Sequence, residues 1–242
     1  MLEQIFRVSE YPNFPSLGRE SFGVRIATLL KTYGLLFLAL FLVAPLIVLA
    51  DHFVVHTLHA KTISNAGRDG MKHFFQKMGY WRAVVYIGLI GPLLEEVVFR
   101  LPLSLKKRHI ALACSVAVFL FTGAIFHNLT QIKGLNLALQ LSTCVLIYTA
   151  GMLFVPAGLS ISDHRFRKQL IILSMCLFGL MHIGNYIPIQ WPLIWIYPIY
   201  VLPQLLMGWA ITFIRFKNGF WWGYALHCII NCVSLLLTAG RM

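Results

Sequence analysis

The chain has 242 residues, of which 59% are hydrophobic and 12% charged, with a formal net charge of +12; its mean hydropathy is +0.76. Several continuous apolar runs approach the roughly 20 residues that a helix needs to cross a bilayer, which excludes an ordinary soluble domain and, because the runs do not alternate, a β-barrel. The basic residues sit between these runs, as the positive-inside rule requires, so the positive charge points to membrane topology and anionic lipid rather than nucleic acid.

In chain order, residues 1–31 read as a cytoplasmic leader with Arg7, Arg19, Arg25 and Lys31, in which Ser21 is placed to cap a helix. There is no apolar core close behind a basic start, so the leader is not expected to be a cleaved signal peptide. A first span is expected over 32–49, followed by a polar connection over 51–82 that contains an interfacial amphipathic stretch at 70–80 and belt aromatics Tyr80 and Trp81. Further spans are expected at 84–105, 110–126, 135–154, 170–187, 193–214 and 220–237. Basic clusters at 106–108, 165–168 and 215–217 fall on one side of this arrangement. The expected fold is thus an all-α polytopic bundle of about seven spans, eight if the 51–82 connection hides another. Its parts are the leader 1–31, the first span and connection 32–83, and an intramembrane core 84–238. The five cysteines, Cys114, Cys144, Cys176, Cys228 and Cys232, lie in apolar segments without a CxxC pair, so no disulfide framework is expected.

Acids are scarce: eight in all, and after Glu96 only Asp163 remains. Glu95 and Glu96 nevertheless sit together in the apolar run 84–103, where each ionisable group costs roughly 2.5–3.5 kcal/mol on insertion scales. Glu96 and Arg100 are four apart and share a helix face, while Glu95 points about 100° away. Gly91-Pro92 just before them favours a kink. Two later spans carry Phe178 with His182 and His227 with Asn231, each pair again four apart. Such groups have to face the bundle interior or a wet cavity, so a carboxylate and two imidazoles from three spans become candidates to converge. A carboxylate beside a histidine can deprotonate water, and a histidine with an asparagine amide can donate to an oxyanion.

The ordered set Glu95-Glu96-Val97-Val98-Phe99-Arg100, Phe178 to His182, and His227 to Asn231 resembles the EExxxR, FxxxH and HxxxN motifs of the CAAX protease and bacteriocin-processing family, also called the abortive-infection family. The resemblance covers about residues 84–236. It implies a glutamate-dependent intramembrane endopeptidase in which Glu95 activates water with help from His182. By the same resemblance His227 and Asn231 polarise the scissile carbonyl, Glu96 and Arg100 position Glu95, and Phe178 packs beside His182. The gap between the first two motifs is longer than the family pattern leads one to expect, and His127 lies nearer the expected place. Position 123, four before it, is Gly rather than Phe, so His182 is assigned and His127 kept as the alternative.

No cofactor is expected, although Glu95, His182 and His227 are the right donors for a three-ligand zinc site. Gly158-Leu159-Ser160 has no histidine placed to make a serine nucleophile. The implied partners are a peptide or membrane-protein substrate and the bilayer, with oligomeric state left open, and the expected location is a bacterial cytoplasmic membrane with the N-terminus inside. The alternative reading is a catalytically silent scaffold or immunity protein of the same fold; an ion or proton path is a third. CAAX peptides, bacteriocin leaders and transmembrane regulators are all substrates the sequence leaves open.

Overall fold

A computed structural model describes residues 2–14, 20–127, 129 and 132–238, and among these all regular structure is helical. Ser21 begins the first long helix in the expected way: its backbone is extended and its hydroxyl accepts from the Val24 N–H at 3.4 Å, satisfying one of the free donors at the helix start. The helix it caps, α2 (Phe22–His56), is longer than the expected span. At 1.5 Å per residue its 35 residues reach roughly 50 Å, so both ends extend beyond a hydrocarbon core about 30 Å thick. Phe37, Phe41, Leu42 and Val48 stand exposed along it, as a lipid-facing surface demands.

Among the described residues, four helical segments are long and apolar enough to cross a membrane: Phe22–His56, Lys133–Phe154, Arg167–Tyr186 and Phe220–Leu237. A fifth arises if Trp191–Tyr200 and Leu202–Asn218, which meet at a 44° bend, act as one span. With this hydropathy the protein is an integral membrane protein. The expected span at 84–105 is corrected in one respect, because it is not a continuous helix. It runs as α4 (Tyr80–Val85), a π-helical turn (Tyr86–Ile90), α5 (Gly91–Phe99) and a 3-10 turn (Leu101–Ser104) that ends at Leu105 with φ 54°. Pro92 and Pro102 each lack the N–H that an unbroken helix requires.

The N-terminal stretch packs against the bundle. A short α1 (Leu2–Phe6) leads to a 3-10 segment (Val8–Asn13) whose Tyr11 is fully buried. The Trp209 indole N–H lies 2.8 Å from the Tyr11 hydroxyl and 2.9 Å from the Ile5 carbonyl, and Tyr11 stacks edge-on to Phe213. Burial holds the Tyr11 phenol neutral well above the ordinary tyrosine range. The polar connection likewise gains structure. Within it, α3 (Ile63–Met78) lies so close to the 3-10 segment His182–Tyr186 that a Cβ at Gly67 would sit 3.0 Å from the Tyr186 ring. Asp51 ties this end together by accepting from the Tyr200 hydroxyl at 2.8 Å and the Ser64 N–H at 3.4 Å.

The remaining helices divide into two sets. α6 (Lys107–His127) and α7 (Lys133–Phe154) form an antiparallel hairpin held by Ser115 donating to the Cys144 carbonyl (2.8 Å) and Gln140 to that of Phe119 (2.6 Å). Gly151 allows close approach there, since any Cβ would overlap Ala111. The second set is α8 (Arg167–Met181), a short α9 (Tyr197–Tyr200), α10 (Leu202–Asn218) and α11 (Phe220–Thr238). With α5 and α2 it surrounds one apolar core that includes Leu29, Met175, Phe178, Ile211, Phe213 and Leu226.

Candidate active site

The two adjacent acids on α5 lead different lives. Glu96 and Arg100, one turn apart, are both fully buried, with Arg100 Nη1 3.4 Å from Glu96 Oε1. Burying such a pair is costly unless further groups share it, and here three do. The Arg100 guanidinium lies 3.8 Å from the centroid of the Phe178 ring and reaches the Gly208 carbonyl at 3.5 Å. His227 Nδ1 sits 3.0 Å from Glu96 Oε1. A Cβ at Gly208 would stand 3.0 Å from Phe178 and 3.3 Å from Arg100 Nη2, so glycine lets α10 pass close to the pair without displacing either side chain.

Glu95 is partly accessible, its side chain 24% exposed, and turns toward the other two helices. Its Oε2 lies 3.6 Å from His227 Nε2 and 3.9 Å from His182 Nε2. The ring orientations follow from the second nitrogen of each histidine. His182 Nδ1 lies 2.8 Å from the Phe178 carbonyl, which can only accept, so Nδ1 carries a hydrogen. Glu96, ionised against Arg100, likewise only accepts, so His227 Nδ1 carries one too. Both imidazoles therefore present Nε2 to the same oxygen of Glu95. These separations exceed a direct hydrogen bond, and Oε2, the oxygen that faces both rings, is buried without a hydrogen-bond partner.

Phe178 holds the set in register. Its ring is edge-on to His182 (4.9 Å), His227 (5.6 Å) and Phe99 (5.8 Å) while its face carries Arg100. Ser174, one turn earlier, donates to the Phe99 carbonyl and fastens α8 to the end of α5. The Asn231 amide donates to the Ile87 carbonyl, in the π-helical turn, at 2.8 Å. His127 is exposed at the end of α6, roughly 30 Å along that helix from Lys107, and its backbone carbonyl accepts from Asn136. The long interval between the first two motifs is accounted for by the α6–α7 hairpin, which leaves the α5 core and returns, so that α8 still packs against α5. Among the described residues no group of three or more His, Cys, Asp or Glu is arranged to hold a metal ion.

Sequence reasoning did not find Gly208, Thr212, which donates to the Gly208 carbonyl at 2.6 Å, or the bridge from His227 to Glu96. A glycine inside an apolar run signals close approach but not to what.

Fold and site together define an integral membrane protein with a carboxylate and two imidazoles facing one another inside a helical core. Residues 152–233 match the family model described as "Type II CAAX prenyl endopeptidase Rce1-like", a match consistent with the CAAX protease and bacteriocin-processing family. The matched stretch contains Phe178, His182, His227 and Asn231; Glu95, Glu96 and Arg100 precede it. No curated protein and no solved structure matches the chain.

Proposed function

We propose that the protein is an intramembrane endopeptidase that hydrolyses peptide bonds with a water activated by Glu95. The observation that carries the reading is the approach of His182 Nε2 and His227 Nε2 to one oxygen of Glu95, at 3.9 and 3.6 Å. In the working form of the site His227, which lies between the two carboxylates, carries a hydrogen on both ring nitrogens, so that Glu95 is free as a base and His227 Nε2–H is free as a donor.

In this mechanism Glu95 takes a proton from water as the oxygen attacks the scissile carbonyl. His227 Nε2–H donates to the oxyanion that forms. As the C–N bond breaks, the protonated Glu95 returns its proton to the leaving amine. His182, fixed by the Phe178 carbonyl, orients the water and Glu95. Glu96 and Arg100 hold His227 and the end of α5.

The substrate class favoured by the family is a prenylated protein with a C-terminal CAAX sequence, with other membrane-associated peptides as the second choice. An N-terminus on the cytoplasmic side fits the gathering of basic clusters at one end of the bundle. There Lys217 pairs with Glu20 at 3.1 Å, Asn218 donates to the Arg25 carbonyl, and Ser162 donates to that of Pro12. The seven-span arrangement adds α6 and the broken 80–104 segment to the five apolar crossings. The reaction as written uses no metal.

The test compares proteins in membranes containing the wild type with those in membranes containing Glu95→Gln, alongside purified protein on farnesylated CAAX peptides. Shortened C-termini found only with the wild type, at a rate unchanged by a chelator, are expected. Equal cleavage by both proteins would overturn the role of Glu95. Abolition by chelator with recovery on adding zinc would replace the metal-free step.

A further inference from the structure

The π-helical turn before the site has a specific cause and a specific restraint. The Gly91 N–H bonds to the Tyr86 carbonyl, five residues back, and a Cβ at Gly91 would press to 3.1 Å from that same oxygen. Ile87 is then left without a helical partner. Its α-helical donor, Gly91, is already used, and its π-helical donor would be Pro92, which has no N–H. An unpaired carbonyl inside a membrane protein costs as much as a lost hydrogen bond or more. Asn231 Nδ2 fills this position at 2.8 Å. α11 touches the turn at two further points, where the Tyr224 hydroxyl donates to the Leu89 carbonyl at 3.3 Å and a Cβ at Gly88 would lie 3.2 Å from Cys232 Sγ.

A π turn holds one residue more than an α turn, and each residue rotates the helix beyond it by roughly 100°. Were this turn to relax to α geometry, Glu95 would take the direction that Glu96 now has, and Leu94 that of Glu95. The acid between the two histidines would be replaced by an apolar side chain.

We infer that Asn231, with Tyr224, is a positioning residue that clamps the π turn and thereby sets which of the two acids faces the histidines. The resemblance noted above implies an Asn231 that polarises the substrate carbonyl; its amide gives one N–H to Ile87, and the second N–H is the one left for that role. The inference rests on Glu95 as the reacting acid, yet it can be read independently of cleavage.

The experiment is hydrogen exchange measured by mass spectrometry on the full protein in detergent, with kcat and KM on a CAAX peptide in parallel. Asn231→Leu keeps the number and branching of the side-chain heavy atoms and removes the donor. It is expected to raise exchange across residues 86–95 at least tenfold, to leave residues 133–154 unchanged, and to lower kcat at least tenfold with KM within twofold. Unchanged exchange across 86–95 with kcat lost would make Asn231 a direct oxyanion donor and overturn the clamp. If Asn231→Leu exchanges rapidly everywhere, Tyr224→Phe, which deletes one hydroxyl, is read instead. A two- to threefold rise confined to 86–95 supports the clamp, and no change contradicts it. A wild type that cleaves nothing defeats the proposed function, while the exchange arm still decides the clamp.

Discussion

The α6–α7 hairpin and the four helices around Glu96 are built from similarly apolar sequence, yet they solve different problems. In the hairpin's α7 only 11% of the apolar window is buried, against 28% for the α8 segment. The hairpin mostly meets lipid and needs a few interhelical bonds and one close contact at Gly151. Around α5, by contrast, a charged pair lies at zero exposure and three helices supply something to it: Phe178 from α8, Gly208 from α10, His227 from α11. Apolar composition alone suffices for the first region. The second works only if individual residues meet, and this is where substitutions should hurt.

The contrast can be broken most forcibly at the buried pair. Arg100→Ala leaves the buried Glu96 without its guanidinium partner, and is expected to destabilise by about 3–5 kcal/mol. Thermal unfolding in detergent, or loss of protein from the membrane, measures it; wild-type stability would mean that the pair is dispensable.

Next comes chemistry without collapse. His182→Ala, at a side chain already 14% exposed, should reduce the hydrolysis rate by about 100-fold or more while the melting temperature stays close to the wild type's. A large fall in melting temperature would make His182 structural.

A smaller effect is expected at Gly208→Val, whose side chain would press on Phe178 and Arg100. Overpacking of this kind costs about 1–3 kcal/mol, and activity should fall with it because the ring that orders both histidines is displaced. The smallest belongs to the hairpin. Ser115→Ala removes one bond to the Cys144 carbonyl and should cost about 0.6 kcal/mol, with hydrolysis unaltered. If Ser115→Ala were as damaging as Gly208→Val, the division between anchor and site would be wrong.

What could be read from the sequence follows the same division. Long apolar helices were legible because bilayer crossing depends on composition over a window, and 110–126, 135–154 and 220–237 each lie inside one observed helix. The Glu96–Arg100 pairing was legible because four-residue spacing fixes it locally. Pro92 announced a break, but not its form: the π turn depends on Asn231, which is remote in sequence and meets Ile87 only in the folded bundle. The buried Tyr11 was hidden for a similar reason. A lone tyrosine in a polar stretch gives no sign of the Trp209 indole that draws it inward. His227 bridging both acids was likewise invisible, since spacing places residues on faces and says nothing about which faces meet.

The central claim is that Glu95, turned toward His182 and His227 while Glu96 serves Arg100, performs the hydrolysis. It is tested most directly by the cleavage rates of wild type, Glu95→Gln and His227→Ala on one farnesylated CAAX peptide, with the melting temperature of each recorded. Glu95→Gln is expected to lose at least 1,000-fold in rate, within the range for removing a general base, while melting close to the wild type. A Glu95→Gln protein that is folded and cleaves at the wild-type rate would contradict the account.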